Sequence, residues 1–345
     1  CKISAIYALG YLSESCGRLL VRYLPELEVL YRGTIESLGS DTRSVFDLGQ
    51  ALGHVLANLD ISLLPDHWQA ITGLWLRKLG SFGTERIIAL EALNSLLIPF
   101  DQDSNQLIQP DHPVLIHFKQ SIWPMVSCLE NFDSVLIPVL VKLLKTCIMV
   151  LGPGLDSDWD TSLLQLIQRT LPVSLEAFAA LRVFILHMPE ARRDAVLPLV
   201  VMILSVPGTA GILGRDESFA DYLSACTAAL DYCPTILSDV SIAAGLVLGW
   251  LELARSAIFE ADPPVPTDIS AGLHCLQHLL QSFMNDPGCP SRPLLLPACL
   301  ACFQSILAAC LIAYPPDLLA DIPACLLRLQ RISPGSPTQL MQGAL

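Results

Sequence analysis

The segment 216–256 constrains the fold more than any other, because it reads as two helices folded back on each other. In both halves apolar residues recur at every third or fourth position, as they do on one face of a helix. The first helix is expected to stop at Tyr232, since the residue before Pro234 must avoid the α conformation. Neither helix can bury its apolar face alone. A helical hairpin of about 40 residues is the unit of an α-solenoid, which forms its core by stacking copies.

The same pattern continues on both sides of this hairpin. Gly152–Gly154 is expected to end one helix, and residues 101–113 form a polar loop between helices. Because no run alternates with period two, we predict an all-α chain, an α-solenoid of roughly eight or nine HEAT-type hairpins spanning residues 1–345. The other predicted helices cover residues 1–16, 19–35, 42–59, 65–79, 84–99, 114–130, 133–151, 161–171, 174–187, 190–204, 266–283, 294–313 and 317–329.

Prolines also favour a repeat. Each is expected in the first turn of a helix, where its missing N–H has no partner to lose. Any all-α protein can place prolines in this way, but the number of instances with similar apolar neighbours favours repeated units. The prolines concerned are Pro25, Pro124, Pro138, Pro198 and Pro297.

Composition limits the kind of partner. Hydrophobic residues make up 52% of the 345 residues and charged residues 15%, so a polytopic membrane protein has to be considered. The uncharged spans 195–214 and 293–316 are long enough to cross a bilayer, but prolines and glycines interrupt them and we favour buried helices. The 33 acidic and 20 basic residues give a net charge of −13. Such a surface repels nucleic acid and attracts basic partners.

One acidic motif has a functional and a structural interpretation. Asp156, Asp158 and Asp160 resemble the start of a calcium-binding loop. However, Thr161 and Ile167 stand where such a loop needs glycine and glutamate. We therefore interpret the motif as the N-terminus of a helix, where carboxylates cap the free N–H groups.

Cysteine and histidine pairs suggest other chemistry only weakly. Cys299 and Cys302 share one apolar helix face and are expected in the core. His274 and His278 lie one turn apart and could share a metal, but no further ligand stands nearby. The twelve cysteines are scattered through apolar faces, as expected of buried free thiols in a reducing compartment. No phosphate-binding, dinucleotide-binding or nucleophile motif occurs, so we expect no enzyme, no cofactor and no metal.

Several stretches resemble the middle and C-terminal HEAT repeats of the importin-β superfamily, in its transportin-SR and importin-thirteen branch. The first two are LSESCGRLLVRYLPELEVLYRGTI and SVFDLGQALGHVLANLDISLLPDHWQAITGLWLRKL. HFKQSIWPMVSCLE is similar to the branch's helix containing "IWP". SFADYLSACTAALDYCPTILSDVSIAAGLVLGWLELA and PACLACFQSILAACLIAYPPDLLADIPACLLRL are similar to late repeats.

The resemblance implies a nuclear transport receptor that shuttles between cytoplasm and nucleus. It would bind basic protein cargo on a concave surface, respond to the GTPase Ran, and contact nucleoporins, with no direct binding of nucleic acid or membrane. In this family Ran docks mainly on N-terminal repeats, which are expected to precede Cys1. The acidic residues that could face cargo lie near helix ends: Asp156, Asp158, Asp160, Asp216, Glu217 and Asp221.

One departure from the family concerns phosphorylated cargo. Transportin-SR proteins carry an arginine-rich helix for phosphorylated serine–arginine segments, and the matching helix here is VLIPVLVKLLKTCIMVLG. It offers only Lys142 and Lys145, and lysines lack the bidentate fork of arginine for phosphate. Import of basic nuclear proteins is therefore the broader expectation. A HEAT-repeat scaffold unrelated to Ran would share every periodic feature and remains the alternative, ahead of a membrane protein.

Overall fold

The computed structural model describes residues 2–37, 42–102, 111–205, 219–260, 265–313 and 321–333. Every regular element in these ranges is helical, which confirms the all-α prediction. The chain divides into two compact units, Cys1–Leu166 and Ile167–Leu345.

The described part of the first unit contains helices of one to five turns. A 3₁₀ turn, Val21–Tyr23, separates the first two helices, and another, Gly152–Gly154, follows the ninth. The helices are α1 (Lys2–Leu20), α2 (Leu24–Glu36), α3 (Thr42–Ala57), α4 (Leu64–Leu79), α5 (Thr84–Leu97), α6 (Pro99–Gln102), α7 (Pro113–His117), α8 (Trp123–Ser127), α9 (Leu136–Leu151) and α10 (Ser157–Thr170), which begins there.

These helices pack in two rows. In one row α1 contacts α3, α3 contacts α5, and α5 contacts α9. In the other row α4 contacts α7 and α8. Side chains link α2, α4 and α7 in turn: Glu28 of α2 bonds His67 of α4 at 2.6 Å, and the Thr72 hydroxyl of α4 bonds His117 of α7 at 3.0 Å. Helix α2 packs on α3, and α4 packs on α3 and α5, so the two rows contact each other.

Glycines allow the helices of the first row to approach closely. A Cβ on Gly53 of α3 would lie 2.7 Å from the carbonyl oxygen of Leu96 in α5. A Cβ on Gly17 of α1 would lie 2.9 Å from the carbonyl oxygen of His54 in α3. Both distances are below any real Cβ contact, so residues with larger side chains cannot occupy these positions without moving a helix.

The second unit repeats the arrangement. A π-helical turn, Ala243–Val247, directly follows the short helix Val240–Ile242. Its helices are α11 (Ala177–His187), α12 (Glu190–Leu204), α13 (Phe219–Tyr232), α14 (Thr235–Ser238), α15 (Val240–Ile242), α16 (Leu248–Glu260), α17 (Pro266–Asn285), α18 (Arg292–Ala313) and α19 (Asp321–Ile332).

Packing in the second unit again runs in two rows. Helix α11 contacts α13, α13 contacts α17, and α17 contacts α19. In the other row α16 contacts α18, and the indole N–H of Trp250 in α16 donates to the carbonyl of Leu204 in α12 at 3.3 Å. Helices α17 and α18 join the two rows. Large side chains such as Phe178, Phe219 and Phe283 are fully buried in this unit's core.

Predicted helix ends agree with the structure where proline or glycine forces them. Helix α13 ends at Tyr232, just before the Cys233–Pro234 step, and α9 ends at Leu151 before the Gly152–Gly154 turn. The predicted end of the first helix at Cys16 is a kink inside α1, where the backbone leaves helical geometry. Of the predicted loop 101–113, residues 103–110 lie outside the described ranges, and α6 occupies its start.

Two predictions about prolines and helix continuity are wrong. Pro25, Pro124 and Pro138 lie in the first turns of α2, α8 and α9, as expected. Pro198 follows eight residues of α12 and Pro297 follows five residues of α18, so both lie beyond the first turn. The helix predicted to run on from Pro234 breaks at Asp239, whose carboxylate accepts the N–H of Ser241 at 2.8 Å and starts α15.

A π-helical turn, Phe118–Ile122, connects α7 and α8. Pro124 has no N–H, so the regular bond to the residue four positions back cannot form there. The N–H of Trp123 bonds instead to the carbonyl of Phe118, five positions back. Lys119 within this turn pairs with Asp156, which lies just before the start of α10.

Candidate functional site

The acidic motif before α10 caps that helix. The Asp156 carboxylate accepts the N–H of Trp159 at 3.0 Å, which satisfies one of the free donors of the first turn. Its other oxygen accepts from the Lys119 ammonium at 2.7 Å. The hydrogen bond from Lys119, followed by the backbone bond from Trp159, lowers the pKa of Asp156. This arrangement agrees with the interpretation as a helix N-terminus.

The three carboxylates of this motif have different surroundings. Asp156 and Asp158 are exposed, whereas Asp160 is 0% exposed. Asp160 is therefore not part of the surface that a protein partner would touch. The sequence could not distinguish them, because a spacing of two residues at a helix start does not show which side chain turns inward.

The lysines of α9 also differ from one another. The Lys142 ammonium bonds the Glu91 carboxylate of α5 at 3.0 Å, and Lys145 is half-buried. Lys142 thus links two neighbouring helices of its row. A partner that used this lysine would compete with Glu91, whose side chain is 20% exposed.

The remaining predicted residues lie around the start of α13. Asp221 is half-buried in the first turn of that helix, while Asp216 and Glu217 lie outside the described residues. The predicted site residues are thus divided between the two units and belong to separate helices. They do not form one cluster within either unit.

A polar cleft that the sequence did not reveal lies in the second unit. A cavity of about 270 Å³ opens between α11, α13 and α17. Arg182 lines it from α11, Thr227 and Asp231 from α13, and His274 and His278 from α17. The His278 ring nitrogen Nδ1 lies 2.8 Å from the Asp231 carboxylate. The cleft therefore brings cationic, anionic and titratable groups together across three successive helices.

Polar contacts continue from this cleft to α19. His274 Nε2 lies 3.9 Å from the carboxylate of Asp321, and the Gln277 amide donates to the Asp321 carbonyl. The Arg328 guanidinium bonds the Gln281 side chain at 3.2 Å. Both histidines that the sequence paired as possible metal ligands thus face carboxylates on different helices. No group of three metal-ligating side chains occurs in the part of the chain that the structure describes.

Several buried thiols lie near one another in the core of the second unit. Cys275 of α17 has Cys226 of α13 and Cys299 and Cys302 of α18 as neighbours. Burial raises the pKa of Cys275 to about 11 and that of Cys325 to about 12. These thiols stay protonated at neutral pH, and a protonated thiol is a poor nucleophile. Cys299 and Cys302 are core residues, as predicted, whereas Cys128 in the first unit is exposed.

The long apolar helix near the C-terminal end bears on the membrane alternative. Within the described residues, Arg292–Cys310 in α18 is the one stretch long and apolar enough to cross a membrane, and 39% of it is buried. It packs on α16 and α17. One such helix is weak evidence for a membrane protein, because core helices of other proteins have the same composition.

Comparison with known proteins adds no family. No protein-family model matches the chain, and no curated protein has a similar sequence.

Proposed function

We propose that this chain is an α-solenoid of HEAT-type helical hairpins that binds protein partners along its rows of helices. The observation that carries the proposal is the sequence separation of the contacts between helices. Glu28 and His67 are 39 residues apart, Thr72 and His117 are 45 apart, Asp231 and His278 are 47 apart, and Gln281 and Arg328 are 47 apart.

A narrow range of separations favours a repeat array over a globular domain. In a globular domain, helices distant in sequence meet in a common core, so separations vary widely. In a repeat array each unit touches only its neighbours, and contacts recur at the length of one repeat. These four separations, 39 to 47 residues, lie close to the ~40–47 residues of a HEAT-type repeat. The bonds Lys119–Asp156 and Lys142–Glu91 join residues 37 and 51 positions apart, on either side of that length.

We further propose that the array belongs to a nuclear transport receptor that carries basic cargo under the control of Ran. The support is the likeness of the quoted stretches to importin-β HEAT repeats, together with the net charge of −13. An acidic protein attracts basic partners over long range. No catalytic role is part of this proposal.

Capture of partners from nuclear extract tests this function. The full-length protein is immobilised, and bound proteins are identified by mass spectrometry with and without GTP-locked Ran. We expect Ran to bind and basic proteins to be released. Cargo that is retained only when Ran-GTP is present would identify an export receptor instead.

Two outcomes would support the alternatives, a HEAT-repeat scaffold or a membrane protein. Binding of a defined set of proteins that ignores Ran would support a HEAT-repeat scaffold outside nuclear transport. A protein that leaves cell membranes only with detergent would support the membrane alternative, for which α18 is the candidate span.

A further inference from the structure

A cavity of about 180 Å³ lies between α1 and α3 in the first unit. Tyr7, Tyr11 and Glu14 line it from α1, where their spacing of four and three residues puts them on one helix face. Asp47 and Gln50 line it from α3. The largely buried imidazole of His54 in α3 also lines it, so the cavity combines two phenol rings and an imidazole with two carboxylates and one amide.

This lining suits an organic cation. Tyr7 is 37% exposed and Tyr11 is 71% exposed, so both residues are available to a partner. The face of an aromatic ring attracts ammonium and guanidinium groups. A cationic side chain of a partner can also donate a charge-assisted hydrogen bond to the nearby carboxylates. An apolar side chain has no donor for this bond, and an ionised acidic side chain would be repelled.

A cation of the chain itself already stands at the rim. The guanidinium carbon of Arg43 lies 5.3 Å from the centre of the Tyr7 ring, and Arg43 Nε lies 3.9 Å from the Asp47 carboxylate. The Arg43 side chain is 76% exposed. An ion pair this exposed is weak, so a second cation can displace it.

We propose that the cavity between α1 and α3 binds a lysine or arginine side chain from an exposed segment of a protein partner. The proposal deepens the proposed function and rests on it, because it supplies a specific contact for a basic protein. Arginine fits better than lysine, since its flat guanidinium stacks on a tyrosine ring and bonds a carboxylate with two N–H groups.

Gly10 offers a way to close the cavity without disturbing the helix. It lines the cavity, and a Cβ placed on it meets no atom within 4 Å. Gly33 in α2 is also free of neighbours at its Cβ position, is exposed, and lies outside the cavity lining. Gly10→Leu and Gly33→Leu are therefore a matched pair. Both substitutions raise helix propensity, but only Gly10→Leu places a side chain in the cavity.

Fluorescence anisotropy with labelled peptides tests the proposal on the full chain. The probes are short glycine peptides that carry arginine, lysine or glutamate at alternate positions. We expect the arginine peptide to bind tightest and the glutamate peptide not to bind. Gly10→Leu should weaken arginine-peptide binding by about tenfold relative to Gly33→Leu. This is the loss of affinity expected when one cation–ring contact and one ion pair are removed together.

Substitutions of charged residues give effects of opposite sign. Glu14→Gln should weaken arginine-peptide binding by about threefold, whereas Arg43→Ala should strengthen it by about threefold, because the internal competitor is gone. A merely structural role of Arg43 would not increase affinity. Equal binding by Gly10→Leu and Gly33→Leu, or equal binding of the arginine and glutamate peptides, would overturn the proposal.

The peptide result is separable from the transport function. If Gly10→Leu loses peptide binding but the protein does not respond to Ran, the cation site is supported and the nuclear-transport proposal is contradicted. If Ran releases basic cargo and Gly10→Leu does not change cargo binding, the transport proposal is supported and the cation site is contradicted.

Discussion

Tyr31 and Trp75 form a buried polar contact in the core of the first unit. Both side chains are 0% exposed, and the Trp75 indole N–H donates to the Tyr31 hydroxyl at 2.9 Å. Burial raises the pKa of Tyr31 well above its ordinary value, so the hydroxyl stays neutral. The pair joins α2 to α4 inside an otherwise apolar region.

Tyr31→Phe should lower the free energy of unfolding by about 1–3 kcal/mol, because the indole N–H would then be buried without an acceptor. Urea denaturation followed by circular dichroism measures the change. Tyr11→Phe is the control, since Tyr11 is 71% exposed and should change stability by less than about 0.5 kcal/mol. Equal values for the two variants would show that the hydrogen bond contributes little.

Asp268 in the first turn of α17 should make stability depend on pH. It is 9% exposed, and burial raises its pKa to about 6. As pH rises from about 4 to about 6, the unfolded chain releases this proton before the folded chain does. The free energy of unfolding therefore falls through this window, and the loss is complete above the folded pKa.

Asp268→Asn should remove this loss. We expect the variant to exceed the wild type by roughly 1 kcal/mol at about pH 7.5 and to match it at about pH 4. Thermal or urea unfolding at the two pH values provides the measurement, with exposed Asp158→Asn as the control. A variant that is less stable than wild type at the higher pH would mean that the ionised carboxylate is stabilised by its surroundings.

At the scale of the helices, close approach at Gly53 sets the distance between α3 and α5. Gly53→Ala would push a methyl group against the Leu96 carbonyl and the Pro99 ring, at 2.7 and 2.9 Å. We expect a loss of about 1–3 kcal/mol from overpacking. Gly73→Ala in α4, where a Cβ meets nothing within 4 Å, should instead gain about 0.5–1 kcal/mol from helix propensity. Chemical denaturation of both variants would contradict this explanation if they changed stability in the same direction.

The helices themselves were largely predictable from the sequence, but their interruptions were not. Apolar spacing and residues such as Pro234 predicted where α13 ends, because proline acts locally. The break at Asp239 was missed, since an aspartate can cap a new helix or lie within an old one with the same spacing. The π-helical turn before Pro124 depends on which carbonyl accepts the hydrogen bond from the N–H of Trp123. The spacing of apolar residues does not specify this partner.

Contacts between helices were still harder to predict. The pairing of His278 with Asp231 joins residues 47 positions apart, and it depends on the register between α13 and α17. Apolar patterns specify which face of each helix is buried, but they leave the sliding of one helix along another undetermined. For the same reason, the sequence singled out Asp156 as a possible cargo contact and did not find its bond to Lys119.

At the scale of the whole molecule, stability in the proposed array would be a sum of neighbour contacts. Substantial helix contacts within each unit join successive helices of a row or link the two rows. Loss of one contact therefore weakens two adjacent hairpins and leaves distant ones intact. The variants of Tyr31 and Asp268 lie in different units, so their effects should be additive within about 0.5 kcal/mol.

The buried cysteines give this protein a set of built-in reporters for its own unfolding. A thiol shielded by helices reacts with an alkylating reagent only after those helices separate, whereas exposed Cys128 reacts at once. Cys147 reports on the first unit, and Cys226, Cys275 and Cys299 report on the second. Mass-resolved alkylation across a denaturant series would therefore read the opening of each unit separately, with no engineered label.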